Sequence, residues 1–257
     1  ISFGLKKPII ITALGTYSVA PFYPHTKIFG VGVYSWRRFL MKWTCDEAQL
    51  IAISDYTKEK VLEIMPNADI KIIFPGFDLD FWSGNSDVSE EILRFKPYIL
   101  SVGALKHRKG YHNSIRAFII VAKKIENLNY VIIGQGKNSD YVRKLKEIIK
   151  ENGLEKRVFF ISSDVDDRRL LGFYRNAELF ILTPVEEGRH FEGFGIVYLE
   201  AAASELPVVA TYKSGATSAV SENYNGLLVS QNDPQKTADA IRKVLSDDAL
   251  KTSLKIN

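Results

Sequence analysis

The chain has 257 residues, 46% of them hydrophobic, with 34 Lys and Arg against 30 Asp and Glu for a net charge of +4. That apolar content supports one large domain or two ordinary ones and excludes a disordered chain. The charge mildly favours anionic ligands and allows peripheral contact with an anionic membrane, but the basic residues lie scattered without stacking aromatics, which argues against nucleic acid. The single cysteine, Cys45, excludes an internal disulfide, a Cys-x-x-Cys redox pair and a thiolate zinc site. His25, His107, His112 and His190 form no ligand spacing, so no metal is expected. The longest apolar runs, 98–102 and 118–122, are too short to span a bilayer, and no signal-peptide pattern opens the chain. The expected location is cytoplasmic, with the inner membrane face allowed. The chain starts at Ile1 inside a strand-like pattern, which reads as the remainder of a longer amino-terminal segment.

Short β-branched runs alternate with helical patterns from end to end, the signature of βα units wound into parallel sheets. The expected fold class is α/β, with two Rossmann-like domains of which the first is incomplete. The first block reads as strand 8–13, helix 34–44, strand 50–54, helix 56–65 and strand 70–74. Turn chemistry over 75–84 then marks a boundary, giving domains 1–82 and 83–257. The second block reads as strand 98–102, helix 111–124, strand 130–133, helix 139–152, strand 158–161, helix 167–175, strand 179–182, helix 196–204 and strand 207–210. Helix 217–222, strand 226–229 and helix 234–245 follow. Asp233 caps the last helix, Pro234 opens it, and Ala238, Ile241, Val244 and Leu245 form its apolar face.

Doubly wound sheets bind ligands beyond the carboxyl ends of their strands. That directs the search to the loops 103–110, 134–136, 162–167 and 184–195. The first begins at Gly103 and lacks the three spaced glycines of a dinucleotide fingerprint, carrying clustered charge instead. Arg108 and Lys109 stand where a strand turns into a helix; Arg can fork onto a phosphate while Lys acts as a point charge. Cations so placed stabilise charge developing on a departing nucleoside diphosphate. The segment Gly134-Gln135-Gly136 is either a plain turn or a ligand-side loop.

The richest stretch runs from Glu192 through Gly193, Phe194 and Gly195 to Glu200. Glu200 opens a helix among Val197, Leu199, Ala201, Ala202 and Ala203, where a carboxylate needs donors to offset its desolvation. Sugar or ribose hydroxyls supply them; a salt bridge to an Arg or Lys is the bland alternative. Glu192 is solvated or functional, and Gly193 and Gly195 let the backbone approach a neighbour or ligand closely. Helix-start amides favour phosphate oxygens. Residues 186–190 read as an exposed polar loop in which nothing fixes His190 as a general acid. Tyr17, Phe22, Tyr23, Tyr34 and Trp36 read first as core aromatics, with an acceptor groove as their other reading.

This series resembles the retaining glycosyltransferases of family 4, a two-Rossmann-domain group of the GT-B type. Glu192-Gly193-Phe194-Gly195 and Glu200 are followed in the family's order by Pro207-Val208-Val209-Ala210, Ser214-Gly215 and Gly226-Leu227-Leu228-Val229. Pro75-Gly76-Phe77-Asp78 resembles the interdomain segment. The resemblance implies that Glu200 bonds the donor's ribose hydroxyls and that Glu192 contacts the transferred sugar. It also implies that the amides of Phe194 and Gly195 meet sugar or diphosphate; Gly103 and Gly134 are donor-side candidates by their positions in loops after strands. The family commonly has Arg at the position of Ala104 and His at that of Leu14, whereas Lys109 is kept and Arg108 resembles a mannosyltransferase-like variant. The family's last helix and its amino-terminal acceptor loop have no counterpart in this sequence.

The expectation is therefore transfer of a hexose from a nucleoside diphosphate sugar, of the GDP-mannose or UDP-glucose type, to a hydroxyl of a glycan or lipid-linked acceptor. Arg108, Lys109 and Glu192 are the expected catalytic residues, and no resident cofactor is expected. A donor-binding protein with weakened catalysis, motivated by Ala104 and Leu14, and a sugar-nucleotide epimerase are the alternatives.

Overall fold

The computed structural model describes residues 9–15, 26–28, 31–33, 48–86, 89–136, 139–161 and 164–255. The expected helix 34–44, the five aromatics from Tyr17 to Trp36, His25, Cys45, Ser162 and Ser163 lie outside them.

Two parallel sheets form, as the alternating pattern requires. The smaller contains β1 (Ile10–Ala13), β4 (Gln49–Ala52) and β5 (Ile70–Ile72) in the order β1-β4-β5. Between β1 and β4 lies an antiparallel strand pair, β2 (Thr26–Ile28) and β3 (Val31–Val33), that the sequence pattern does not reveal. Helix α1 (Asp55–Leu62) follows β4, with the Ser54 side chain accepting from the Thr57 backbone N–H as its cap. Two short helices, α2 (Leu79–Ser83) and α3 (Glu90–Leu93), lead into the larger sheet. The Trp82 side chain of α2 packs into the larger core, meeting the ring of Tyr174 edge-on at 5.6 Å.

The larger sheet comprises β6 (Tyr98–Val102), β7 (Asn129–Ile133), β8 (Val158–Ile161), β9 (Leu179–Ile181), β10 (Val208–Thr211) and β11 (Gly226–Val229). Their spatial order, β11-β10-β9-β6-β7-β8, is the doubly wound 3-2-1-4-5-6 arrangement read from its far edge, with every pairing parallel. All five residues of β6 are buried, as a central parallel strand demands. The connecting helices are α4 (Tyr111–Ala122), α5 (Asp140–Glu151), α6 (Asp167–Asn176) and α7 (Val197–Ala203), and α8 (Pro234–Ser246) and α9 (Asp248–Lys255) follow the last strand. Asp233 caps α8 at 2.9 Å through the Lys236 N–H, with Pro234 in the first turn, as the sequence indicates.

One expected helix is corrected. Residues 217–222 do not continue as an α-helix: a 3-10 turn spans Gly215–Ser218, and the Asn225 side chain accepts from the Ser221 N–H at 2.8 Å. The side chain supplies the acceptor that a further helical turn would have offered.

The strand order reverses between β6 and β9. In an open α/β sheet that switch point opens a crevice at the carboxyl ends of the two strands. The loops leaving β6 and β9 are those carrying Arg108, Lys109 and Glu192.

Candidate functional site

The chain leaving β6 forms a 3-10 turn at His107–Lys109 before α4 begins. Between them Gly110 sits at φ 71°, and a Cβ there would lie 1.7 Å from the Thr183 carbonyl oxygen. Only glycine lets this turn lie against the loop after β9. Two bonds fasten the contact: the Val185 N–H donates to the Arg108 carbonyl at 2.9 Å, and Thr183 Oγ1 donates to the Gly110 carbonyl at 3.1 Å.

That seam brings together residues 83 and 84 positions apart. Lys109 Nζ lies 2.6 Å and Arg108 Nη1 3.1 Å from Glu192 Oε2. Glu192 is 7% and Lys109 9% exposed, so Glu192 is a buried, doubly paired acid rather than a solvated one. Two cations against one carboxylate leave a net positive charge. Lys carries three and Arg five N–H donors, more than Glu192 can engage, so the pair retains capacity for an anion. Gly103 and Gly134 border this crevice: the Gly103 carbonyl accepts from Tyr111 Oη at 2.7 Å, and a Cβ on Gly134 would lie 2.0 Å from that same oxygen.

Glu200 is half-buried in the first turn of α7. Its carboxylate accepts from Tyr174 Oη at 2.7 Å, and no ion pair to it is found among the described residues, so the salt-bridge alternative is not what the structure holds. Burial pushes its carboxyl above the ordinary value and Asp167 adds to the rise, while the Tyr174 hydrogen bond and Lys109 pull against it. Tyr174 was not legible as a site residue; the only signal was the need of a buried tyrosine for a hydroxyl partner.

The close approaches that Gly193 and Gly195 allow are made to protein groups. A Cβ on Gly193 would lie 2.6 Å from the Leu14 carbonyl oxygen, and one on Gly195 would lie 2.4 Å from the Tyr198 ring. The Gly193 carbonyl accepts from Ser54 Oγ at 2.5 Å and Thr57 Oγ1 at 3.0 Å, both from the smaller sheet's side. Phe194 is buried, its ring 5.9 Å from that of Phe74. Leu14, where the family resemblance expects His, is 67% exposed at the end of β1. Ala104 accepts from the Lys106 N–H at 2.8 Å within the first loop and brings no charge.

The 186–190 loop is exposed, as read, but not loose. Lys60 Nζ lies 2.6 Å from Glu186 Oε1, Tyr56 Oη donates to the other Glu186 oxygen, and Glu187 Oε2 lies 3.0 Å from His107 Nδ1. Burial pushes the Glu186 carboxyl up, but the hydrogen bonds from Lys60 and Tyr56 outweigh it and leave it below the ordinary value. The His107 ring stacks on that of His112 at 4.4 Å; burial, with His107 alongside, holds the His112 imidazole below its usual range. His190 lies exposed in the β-bridge Glu187–His190.

Comparison with known proteins bears on the family and the fold of the chain that carries this arrangement. The sequence model of the family described as "Glycosyl transferases group 1" matches residues 86–257. The chain is 30% identical over 234 residues to a D-inositol 3-phosphate glycosyltransferase of Corynebacterium jeikeium, covering 85% of this chain and 54% of that protein. It is 27% identical over 203 residues to a GDP-mannose-dependent alpha-(1-6)-phosphatidylinositol monomannoside mannosyltransferase of Mycobacterium tuberculosis, covering 76% of this chain and 52% of that protein. It thus spans about half the length of these curated relatives. Among solved structures, HepE of Anabaena in complex with UDP and glucose superposes with a TM-score of 0.77 at 21% identity, covering 100% of this chain and 67% of that one. At that identity the likeness shows the fold, an α/β architecture of parallel sheets of the GT-B type, whose first sheet has three strands among the described residues. The chain belongs to the group 1 glycosyl transferases.

Proposed function

We propose that the chain carries the donor side of a retaining, family 4-type glycosyltransferase, moving a hexose from a nucleoside diphosphate sugar to a hydroxyl of a glycan or lipid-linked acceptor. The observation that carries this reading is the convergence of Arg108, Lys109 and Glu192 at the sheet's switch point. Arg108 and Lys109 grip the diphosphate and stabilise its charge as the sugar bond breaks. Glu192 then turns from its cation partners toward the sugar hydroxyls, and Glu200 accepts from the ribose hydroxyls while Tyr174 holds its other side. The amides of Phe194 and Gly195 add donors at the sugar or diphosphate. Catalysis is electrostatic and positional, and the reading requires no resident cofactor. A glucose or mannose donor is supported by the UDP and glucose bound to HepE and by the GDP-mannose dependence of the mycobacterial relative. The phosphatidylinositol-based substrate in the latter's name supports a lipid-linked acceptor. The named relatives are glycosyltransferases, which favours transfer over epimerisation or donor binding without turnover.

Calorimetric titration of the full-length protein with UDP, GDP and ADP tests this. One nucleotide binds, and Glu200→Ala and Lys109→Ala each abolish or weaken its binding by tenfold or more, about 1.4 kcal/mol or above. Binding of none of the three by the wild type overturns the reading.

A further inference from the structure

The cap of α1 carries an arrangement beyond helix capping. Ser54 and Thr57 are fully buried, and Ser54 Oγ already accepts from the Thr57 N–H at 2.9 Å. Both hydroxyls also reach across to the Gly193 carbonyl, Ser54 at 2.5 Å and Thr57 at 3.0 Å. A carbonyl oxygen has two lone pairs, so these two donors saturate it. The preceding carbonyl, that of Glu192, accepts from the Gly215 N–H at 2.8 Å. Gly215 also covers the face of the Gly193–Phe194 peptide so closely that a Cβ there would lie 2.1 Å from the oxygen and 2.5 Å from the nitrogen. A trans peptide is planar, with N–H opposed to C=O. Fixing the Gly193 carbonyl on α1 therefore aims the Phe194 N–H away from α1, and two bonds accepted by the carbonyl polarise that amide into a better donor.

We propose that Ser54 and Thr57 are positioning residues for sugar transfer. From the smaller sheet's side they clamp the peptide that follows Glu192, and so tie the seating of α1 to the direction of the Phe194 amide and the placement of the Glu192 backbone. The inference rests on the donor-side reading above. Both hydroxyls are engaged on the Gly193 carbonyl, and the inference assigns the Phe194 amide to the transferred sugar and not to the diphosphate, so their loss acts on rate and not on nucleotide affinity.

The test uses the full-length protein as wild type, Thr57→Val, Ser54→Ala/Thr57→Val and the conservative Thr57→Ser. Binding sites are counted by calorimetry with UDP and GDP, and turnover is followed as UDP released from UDP-glucose or GDP from GDP-mannose. The double variant is expected to lose about tenfold or more in kcat per nucleotide-binding site, less than deletion of a direct oxyanion donor, while nucleotide Kd stays within about twofold. Thr57→Ser, which keeps the hydroxyl, is expected to retain the wild-type kcat. Unchanged kcat per binding site in the double variant, even with a lowered Tm, means a structural role alone and overturns the inference; so does a Kd that weakens in step with kcat, or a Thr57→Ser variant as slow as Thr57→Val. A wild type that binds neither nucleotide overturns the donor-side reading itself, whereas a wild type that binds and turns over beside unaffected variants overturns only the positioning role.

Discussion

Glu200 meets one neutral donor, Tyr174, and its carboxyl is held above the ordinary 4.5 chiefly by burial. A carboxyl raised on folding contributes stability that is present below the unfolded value and lost as pH rises through the folded one. The folded protein thus holds the protonated carboxyl better than the unfolded chain does, and ionising it works against the fold. Glu200→Gln, which still accepts from Tyr174, is expected to raise the Tm at pH 7 with little change at pH 4, while nucleotide affinity falls about tenfold through the lost charged acceptor. Thermal scanning at the two pH values, with and without nucleotide, checks both halves. Glu192 presents the opposite case, a buried acid fully paired by Lys109 at 2.6 Å and Arg108 at 3.1 Å. Removing a partner from a buried pair costs more than replacing the pair, so Lys109→Ala should cost about 2 kcal/mol, and adding Glu192→Gln should recover part of it. A double-mutant cycle by urea unfolding measures that coupling.

At the scale of elements, the seam between the loops after β6 and β9 depends on Gly110, whose absent side chain leaves room for the Thr183 carbonyl. Gly110→Ala should cost more than about 3 kcal/mol, whereas Gly153→Ala, at φ 65° with open space around it, should cost only the left-handed penalty of about 1–2 kcal/mol. Urea midpoints of the two variants compare them directly. The strands of the larger sheet were legible because β-branched runs such as Val208-Val209 and Tyr130 to Ile133 have few other uses. The Asp233-Pro234 start was legible because capping is local chemistry. The 3-10 turn at Gly215–Ser218 was not, since a side chain seven residues beyond its last member decides where it stops: Asn225 takes the Ser221 amide. The site was legible as residue types and loops. The pairing of Glu192 with Arg108 and Lys109, and the reach of Ser54 and Thr57 to Gly193, were not, because they join positions that only the topology makes neighbours.

For the molecule as a whole, the smaller sheet is held to the larger by a few contacts of very different strength. Phe191 belongs to the loop after β9 yet is 2% exposed within the smaller core, with its ring 5.6 Å from and edge-on to that of Tyr56. Glu186 anchors the same junction through Lys60 and Tyr56, at the surface. Exposed ion pairs contribute about 1 kcal/mol or less, whereas truncating a buried Phe to Ala costs about 3–5 kcal/mol. Phe191→Ala is therefore expected to loosen the smaller sheet far more than Glu186→Ala. Native-state hydrogen exchange reads this out: the amides of β1, β4 and β5 should exchange faster in Phe191→Ala while those of β6 and β7 keep their protection. Of these two anchors, acid should act on Glu186. Its carboxyl is depressed on folding, so its contribution is complete above the ordinary 4.5 and fades as pH falls through the lower folded value. Exchange in β1, β4 and β5 of the wild type should then accelerate modestly below that value, and Glu186→Ala should remove this part of the acid response. Equal acceleration in β6 and β7 of Phe191→Ala would mean that the two sheets open together, and that the junction is part of one cooperative core.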